Sequence, residues 1–343
     1  MNIELLQPAD GSVTEPLQRH PWPEEPAREL AAGQAPADDA AALEQLDRSC
    51  PRPVLLTWRL ADEPEAAAEF DVEVWQAEGL DRPRMIRGLK DFRLELTNLL
   101  LGTSYCWKVT ARAGRREAVS AVGRFTTHAA PPRWIAVPGV TNVRDIGGWP
   151  LEGGGIIRQG MVYRSSEMDS HHQITEAGRR VLEDELGVRT DLDLRGVSEP
   201  AAAVLDDGRV EWINVPVLPY QYIREPIVSA GYRRIFQVFA EAARYPILVH
   251  CWGGADRTGT VAFLLGALLG EAESLLALDY ELTSLSIWGA RSRHSDEYAS
   301  LRQTLARQSR AGDLRTQVEE YLRSIGVTAG QIASIRELLV AKG

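Results

Sequence analysis

The sequence predicts an α/β domain, with a central, mostly parallel sheet flanked by helices, preceded by an all-β sandwich. Three observations carry this reading. Up to about residue 130, short apolar–polar alternating runs are separated by turn signals. Beyond residue 134, short apolar runs alternate with segments of helical spacing. Between them, Ala129-Ala130-Pro131-Pro132 reads as a linker. At 343 residues the chain is about twice a typical domain, so the expected units are 1–130 and 134–343.

Val54 to Leu60, Phe70 to Gln76, Phe92 to Leu96, Tyr105 to Ala111 and Val122 to Thr127 read as strands. In the fourth, Tyr105, Trp107 and Val109 share one face while Lys108 and Thr110 share the other, the alternation of a half-buried strand. A Pro- and Ala-rich insertion around 16–51 is too long for a structureless loop, which argues for a docked segment. Within it, Ala40, Leu43 and Leu46 have helical spacing, so Ala37 to Arg48 is expected to be a helix. After the linker, Thr175 to Leu186 reads as a helix and Val188 to Leu194 as a buried strand. Tyr232 to Ala243 places Ile235, Phe236, Phe239 and Ala242 on one helical face. Tyr245 to His250 is a short apolar strand, and an apolar helix begins near Arg257. Ala272 to Trp288, Ser295 to Arg307, Asp313 to Ser324 and Thr328 to Ala341 are further expected helices.

Charge and composition exclude several function classes. Lys and Arg number 38 against 48 Asp and Glu, a net charge of −10, with no basic stripe of the kind a nucleic-acid groove needs. The longest nearly apolar run, Val261 to Gly270, is too short to span a bilayer. No export leader is written, so a cytoplasmic location is expected, or an exported or periplasmic one if a leader has been removed. The three cysteines are too few for a disulfide scaffold. No CxxC or HExxH spacing occurs, so neither a metal nor a cofactor is expected.

The chemistry concentrates in Ile247-Leu248-Val249-His250-Cys251-Trp252-Gly253-Gly254-Ala255-Asp256-Arg257-Thr258-Gly259-Thr260. A strand ends at His250 and a helix starts near Arg257. Gly253 and Gly254 let the backbone amides of Trp252, Gly253, Gly254 and Ala255 turn inward as an anion nest. The helix N-terminus adds partial positive charge, and the planar fork of Arg257 can hold two phosphate oxygens. Those donors favour the thiolate of Cys251 at the floor of the cradle, poised for in-line attack on phosphorus. Thr258 is placed to hydrogen-bond the sulfur as it leaves, and His250 to shape the loop.

These residues resemble the cysteine-dependent tyrosine phosphatase signature, HCxxxxxR followed by Ser or Thr: His250, Cys251, Arg257 and Thr258, with Gly254 as the loop glycine. The Asp256-Arg257-Thr258-Gly259 ending resembles the bacterial atypical branch, which includes tyrosine, dual-specificity and phosphoinositide phosphatases. Asn142 to Gly148, Gly160 to Glu167, Asp191 to Arg195 and Asp279 to Thr283 resemble its companion segments in the same order. The resemblance implies that Asp256 is the general acid and then the base. The stretch Trp212 to Tyr222, where other members carry an acid, has no Asp or Glu, and Glu225 is the substitute. Arg144 and Asp145 are expected to support the cradle, and Arg164 and Arg195 to fix strand ends. Trp252, Tyr220 and Tyr222 are expected to line an aromatic slot. Phosphoinositide-directed members commonly have lysine where Ala255 stands, which favours phosphotyrosine over a phosphoinositide or another small phosphoester. A weakly active phosphate-binding scaffold is the remaining alternative.

In the first domain, Pro8-Ala9-Asp10-Gly11-Ser12, Trp58 and the run Leu99 to Val109 resemble fibronectin type III domains, although members often have proline where Leu101 stands. That resemblance implies a protein or glycan partner for the sandwich, beside a phosphorylated protein or small phosphoester as substrate.

Overall fold

The computed structural model describes residues 2–19, 47–61, 68–79, 83–196, 199, 202–205, 208–307, 309 and 312–342. The chain forms two compact units, one from residues up to 19 together with 51–133, the other from 134 onward together with residues 47–50. The expected helix over Ala37 to Arg48 lies outside the described residues except for 47 and 48, which are not helical.

The first unit contains β1 (Ile3–Gln7), β2 (Ser12–Val13), β3 (Val54–Leu60), β4 (Glu69–Gln76), β5 (Arg84–Leu89), β6 (Arg93–Leu96), β7 (Ser104–Ala113), β8 (Arg116–Val119) and β9 (Gly123–Thr126). One sheet has the order β1-β3-β6, the other β2-β9-β7-β4-β5 with β8 on β7. Alternation turns Leu56 and Trp58 of β3, and Trp107 and Val109 of β7, into one shared core with Phe70 and Phe125. The Trp58 and Phe70 rings meet edge to face at 5.5 Å, linking the two sheets. At the corner before β7, the Tyr105 hydroxyl accepts the Leu100 amide at 3.0 Å.

In the second unit the strands are β10 (Arg133–Trp134, at the boundary), β11 (Arg144–Asp145), β12 (Ile156–Ile157), β13 (Val162–Ser165), β14 (Thr190–Asp193), β15 (Glu211–Asn214), β16 (Ile247–His250) and β17 (Val340–Ala341). The main sheet runs β10-β11-β13-β16-β14-β15, and β13, β16, β14 and β15 are mutually parallel. Strand β16 lies inside the sheet with all four residues buried, which explains its unbroken apolar run. Its carboxyl end is where ligands gather in such sheets.

The helices are α1 (Glu176–Arg180, extended by a π turn), α2 (Pro226–Phe239), α3 (Arg257–Leu269), α4 (Glu273–Leu282), α5 (Asp296–Ala306), α6 (Leu314–Ser324) and α7 (Ala329–Leu339). Residues 258–269 of α3 are all buried, and Gly270 ends it at φ 97°, in the left-handed region. None of the described helices is long and apolar enough to cross a membrane.

Three differences from the expected elements matter for the site. Trp212 to Asn214, for which no element is expected, belongs to β15, parallel to β14. Helix α2 begins at Pro226, ahead of the expected Tyr232, because proline suits the first helical turn. The expected helix Ala272 to Trp288 stops at Leu282. There Ser286 donates its hydroxyl to the Thr283 carbonyl at 2.6 Å and Ser284 to that of Arg291 at 3.1 Å, so side chains take over the backbone's bonding. That break frees Trp288 and Arg291 to reach the loop after β16.

Candidate active site

The loop Cys251–Asp256 hangs from the end of β16, and its carbonyls are claimed from outside. The Trp252 oxygen accepts the Glu167 amide at 2.9 Å, Gly253 the Asn142 side-chain amide at 3.0 Å, and Gly254 the Arg164 guanidinium at 2.6 Å. Among the described residues, no backbone acceptor takes the amides of residues 252–256. They remain available to an anion.

The two glycines permit this arrangement. Gly254 sits at φ 64°, and a Cβ there would stand 2.2 Å from the Ser165 carbonyl oxygen. A Cβ on Gly253 would meet the Trp288 ring at 2.9 Å. Gly254→Ala should therefore force the loop off β13. We expect a stability loss of about 2 kcal/mol or more, read by thermal melting, together with loss of phosphate binding.

Arg144, Arg164 and Asp279 brace the loop from behind. Arg144 donates Nε to Asp279 at 2.7 Å and Nη1 to Asn142 at 2.6 Å, while Arg164 pairs with the other Asp279 oxygen. Burial, and secondarily the charge of Arg164, push Arg144 down to about 10. Burial raises the Asp279 carboxyl, but the two guanidinium groups hold it below its ordinary value. Asp145 accepts the Gly147 and Gly160 amides, each at 2.7 Å, and so shapes a turn. Neither Arg144 nor Asp145 lines the cavity. Arg195 is clamped by Asp193 and Asp169 at the end of β14.

Cys251, Trp252, Gly253, Ala255, Asp256 and Arg257 line one cavity of about 350 Å³, joined by Glu199, Trp288 and Arg291. Gly254 and Thr258 are not among its lining residues. The Thr258 hydroxyl is buried with no hydrogen-bond partner, so the expected bond to the sulfur is not made in this state. Tyr220 and Tyr222 do not form the expected slot: Tyr220 is buried with its hydroxyl on Asp256, and Tyr222 is exposed. Trp288 and Trp252 line the cavity in their place, with the His171 ring against Trp252 at 4.7 Å and the His172 ring against Trp288 at 5.6 Å. Among the described residues, no group of His, Cys, Asp and Glu is placed to hold a metal ion.

Both cavity cations are held by carboxylates. Glu199 takes Nη1 and Nη2 of Arg257 at 2.5 and 2.8 Å, and these bonds keep its carboxyl below the ordinary value. That contact uses one edge of the guanidinium and leaves the Nε edge for an incoming anion. Arg291 donates to both Asp256 oxygens at 2.8 and 3.0 Å, with the Tyr220 hydroxyl as a further donor. Burial raises the Asp256 carboxyl, yet Arg291 and these donors bring it below its usual range, so it is ionised at neutral pH. Tyr220 adopts φ 61°, a left-handed backbone rare for a bulky residue, in a turn that sets its hydroxyl on Asp256.

His250 is fully buried. Burial alone would lower its pKa, but the Asp191 carboxylate, 2.9 Å from Nε2, and Asp193 raise it to about 9. The folded state thus holds this proton more tightly than an unfolded chain, whose histidine titrates near 6.5. The resulting stabilisation is full below about pH 6.5 and is lost as pH rises through 9, an effect on the order of 3 kcal/mol. Asp191→Asn should lower melting at pH 6 and flatten its fall between pH 6.5 and 9.

Sequence reasoning missed Glu199, Trp288, Arg291 and the roles of Asp191 and Asp279. The carboxylates stood within or just beyond the quoted companion segments. Trp288 is the last residue of an expected helix and Arg291 lies between two expected helices, and neither carries a signal.

The profile of the tyrosine phosphatase family matches residues 135–341, more than half of the chain. A protein of Cupriavidus necator, named as a tyrosine-protein phosphatase, is 28% identical over 172 residues, which cover 43% of this chain and 61% of the relative's length. The core catalytic domain of the PP-IP phosphatase SIW14 from S. cerevisiae is 18% identical with a TM-score of 0.29, covering 39% of this chain and 77% of that one. A redesigned β-sandwich protein is 21% identical with a TM-score of 0.21, covering 24% and 81%.

Proposed function

From the premise that the chain belongs to the tyrosine phosphatase family, we propose that it hydrolyses phosphate monoesters through a phosphocysteine on Cys251. The observation that carries this reading is that Cys251 and Arg257 line one cavity, with the unpaired amides of the loop between them. The thiolate attacks phosphorus in line, the ester P–O bond breaks, and the leaving oxygen takes a proton from Asp256. Water then attacks the phosphocysteine and gives its proton to Asp256, and the S–P bond breaks to release phosphate and restore the thiolate. Asp256 is ionised in the free site. The negative charge of the entering ester raises its proton affinity and loads it for the first step.

For the substrate we propose a small phosphomonoester carrying a further anionic group, ahead of phosphotyrosine in a protein. The charge argument from Ala255 is weakened because Arg291, paired with Asp256, also stands in the same cavity. Trp252 and Trp288 in the cavity lining favour phosphotyrosine as the second reading. The sheet orders and the Tyr105–Leu100 corner of the first unit support a fibronectin type III-like sandwich, for which we propose a protein or glycan partner.

Steady turnover of an aryl phosphate, inhibited by vanadate, with phosphate trapped on the Cys251 peptide after acid quench, is the expected result. Turnover that leaves Cys251 unlabelled overturns it. The ratio of kcat/KM for a soluble phosphoinositide to that for a phosphotyrosine peptide decides between the substrates.

A further inference from the structure

A second cavity, of about 660 Å³, lies at the other end of α3. Arg257 begins that helix at the candidate active site and Leu269 ends it in the wall of this cavity, 13 residues and about 20 Å apart. Leu151, Leu269 and Val340 give it an apolar floor, and Arg158, Arg315, Arg336 and Lys342 stand around it. Glu337 is the single carboxylate in its lining. On a chain of net charge −10 this is a local reversal of sign.

Internal bonding accounts for only part of it. Arg336 donates to the Leu268 carbonyl at the end of α3 and to Glu319 at 2.7 Å. Arg158 makes only a long bond, 3.4 Å, to the Val340 carbonyl. Among the described residues, neither Arg315 nor Lys342 forms an ion pair. Arg158, Arg315 and Lys342 therefore converge on apolar ground with no ion pair to another described residue. Arg315 and Lys342 are exposed, so their removal leaves the core intact.

We propose that this cavity binds a small anion bearing several phosphoryl groups. The clustered guanidinium groups match phosphoryl oxygens in pairs, and the apolar floor accommodates an organic body attached to them. The site is separate from the one that carries Cys251, and its occupancy does not depend on turnover there.

Calorimetric titration of the full chain with tripolyphosphate and with ATP tests this, using the Arg257→Ala variant to remove anion binding at the first site. One binding event should persist in Arg257→Ala and weaken with added salt. It should become at least about ten-fold weaker when Arg315→Gln and Lys342→Gln are added, with melting temperature unchanged. Tighter binding of ATP assigns the source to a nucleotide, and equal binding to a free phosphate chain. The proposal is overturned if Arg257→Ala abolishes all binding, or if the Arg315 and Lys342 substitutions leave the affinity as it was.

Discussion

Cys251→Ser should reduce hydrolysis of an aryl phosphate by at least about four orders of magnitude while leaving affinity for a phosphate analogue within a few-fold. Serine preserves the shape of the cavity floor, and the groups that would hold phosphate, Arg257 and the amides of 252–256, are untouched. What is lost is a soft, ionisable nucleophile, since an alcohol stays protonated at neutral pH and the carboxylates in this cavity, Glu199 and Asp256, are tied to Arg257 and Arg291. Steady-state rates beside equilibrium binding of a non-hydrolysable phosphonate make the comparison. If the serine variant keeps a tenth of the activity, the phosphocysteine route is wrong.

Asp256→Asn carries the second-largest expected effect, and its size should depend on the leaving group. For an alkyl phosphate, whose alkoxide cannot depart without a proton, kcat should fall by about 10² to 10³. For an activated aryl phosphate the loss should be under about ten-fold at that step. The pH profile supplies the sign: an acid works only while protonated, so kcat falls as pH rises through its titration in the substrate complex, and the variant should lose that limb. Because Arg291 holds the carboxylate ionised in the free protein, Arg291→Gln should shift the same limb upward in pH. If the limb survives in Asp256→Asn, the acid lies elsewhere. Glu225, the other sequence candidate, does not line the cavity.

The parts of the site legible in the sequence are those that local chain geometry dictates. An apolar strand, two glycines and a cysteine six residues ahead of an arginine constrain one another over a single turn, and Gly254 at positive φ with Ser165 against it follows from that constraint. Residues delivered from afar were not legible. Glu199 reaches Arg257 from the segment after β14, and Arg291 reaches Asp256 only because serine and threonine bonding ends α4 early. Helical periodicity carried no sign of that early stop. Strands β12 and β17, two residues each, are likewise too short to show alternation, yet they pair distant parts of the second unit.

The short stretch 47–50 groups with the second unit although its neighbours from Pro51 onward build the first. Asp47 bonds the Thr141 hydroxyl, Ser49 accepts the Asn142 amide at 3.0 Å, and the Arg48 amide donates to Leu285 at 2.7 Å. Asn142 in turn holds Gly253. Cutting the polypeptide at residue 134 would therefore not merely detach an appendage. It would withdraw a wedge that holds Asn142 and, through it, the Cys251 loop, so the proposed activity should differ between the truncated and the intact chain.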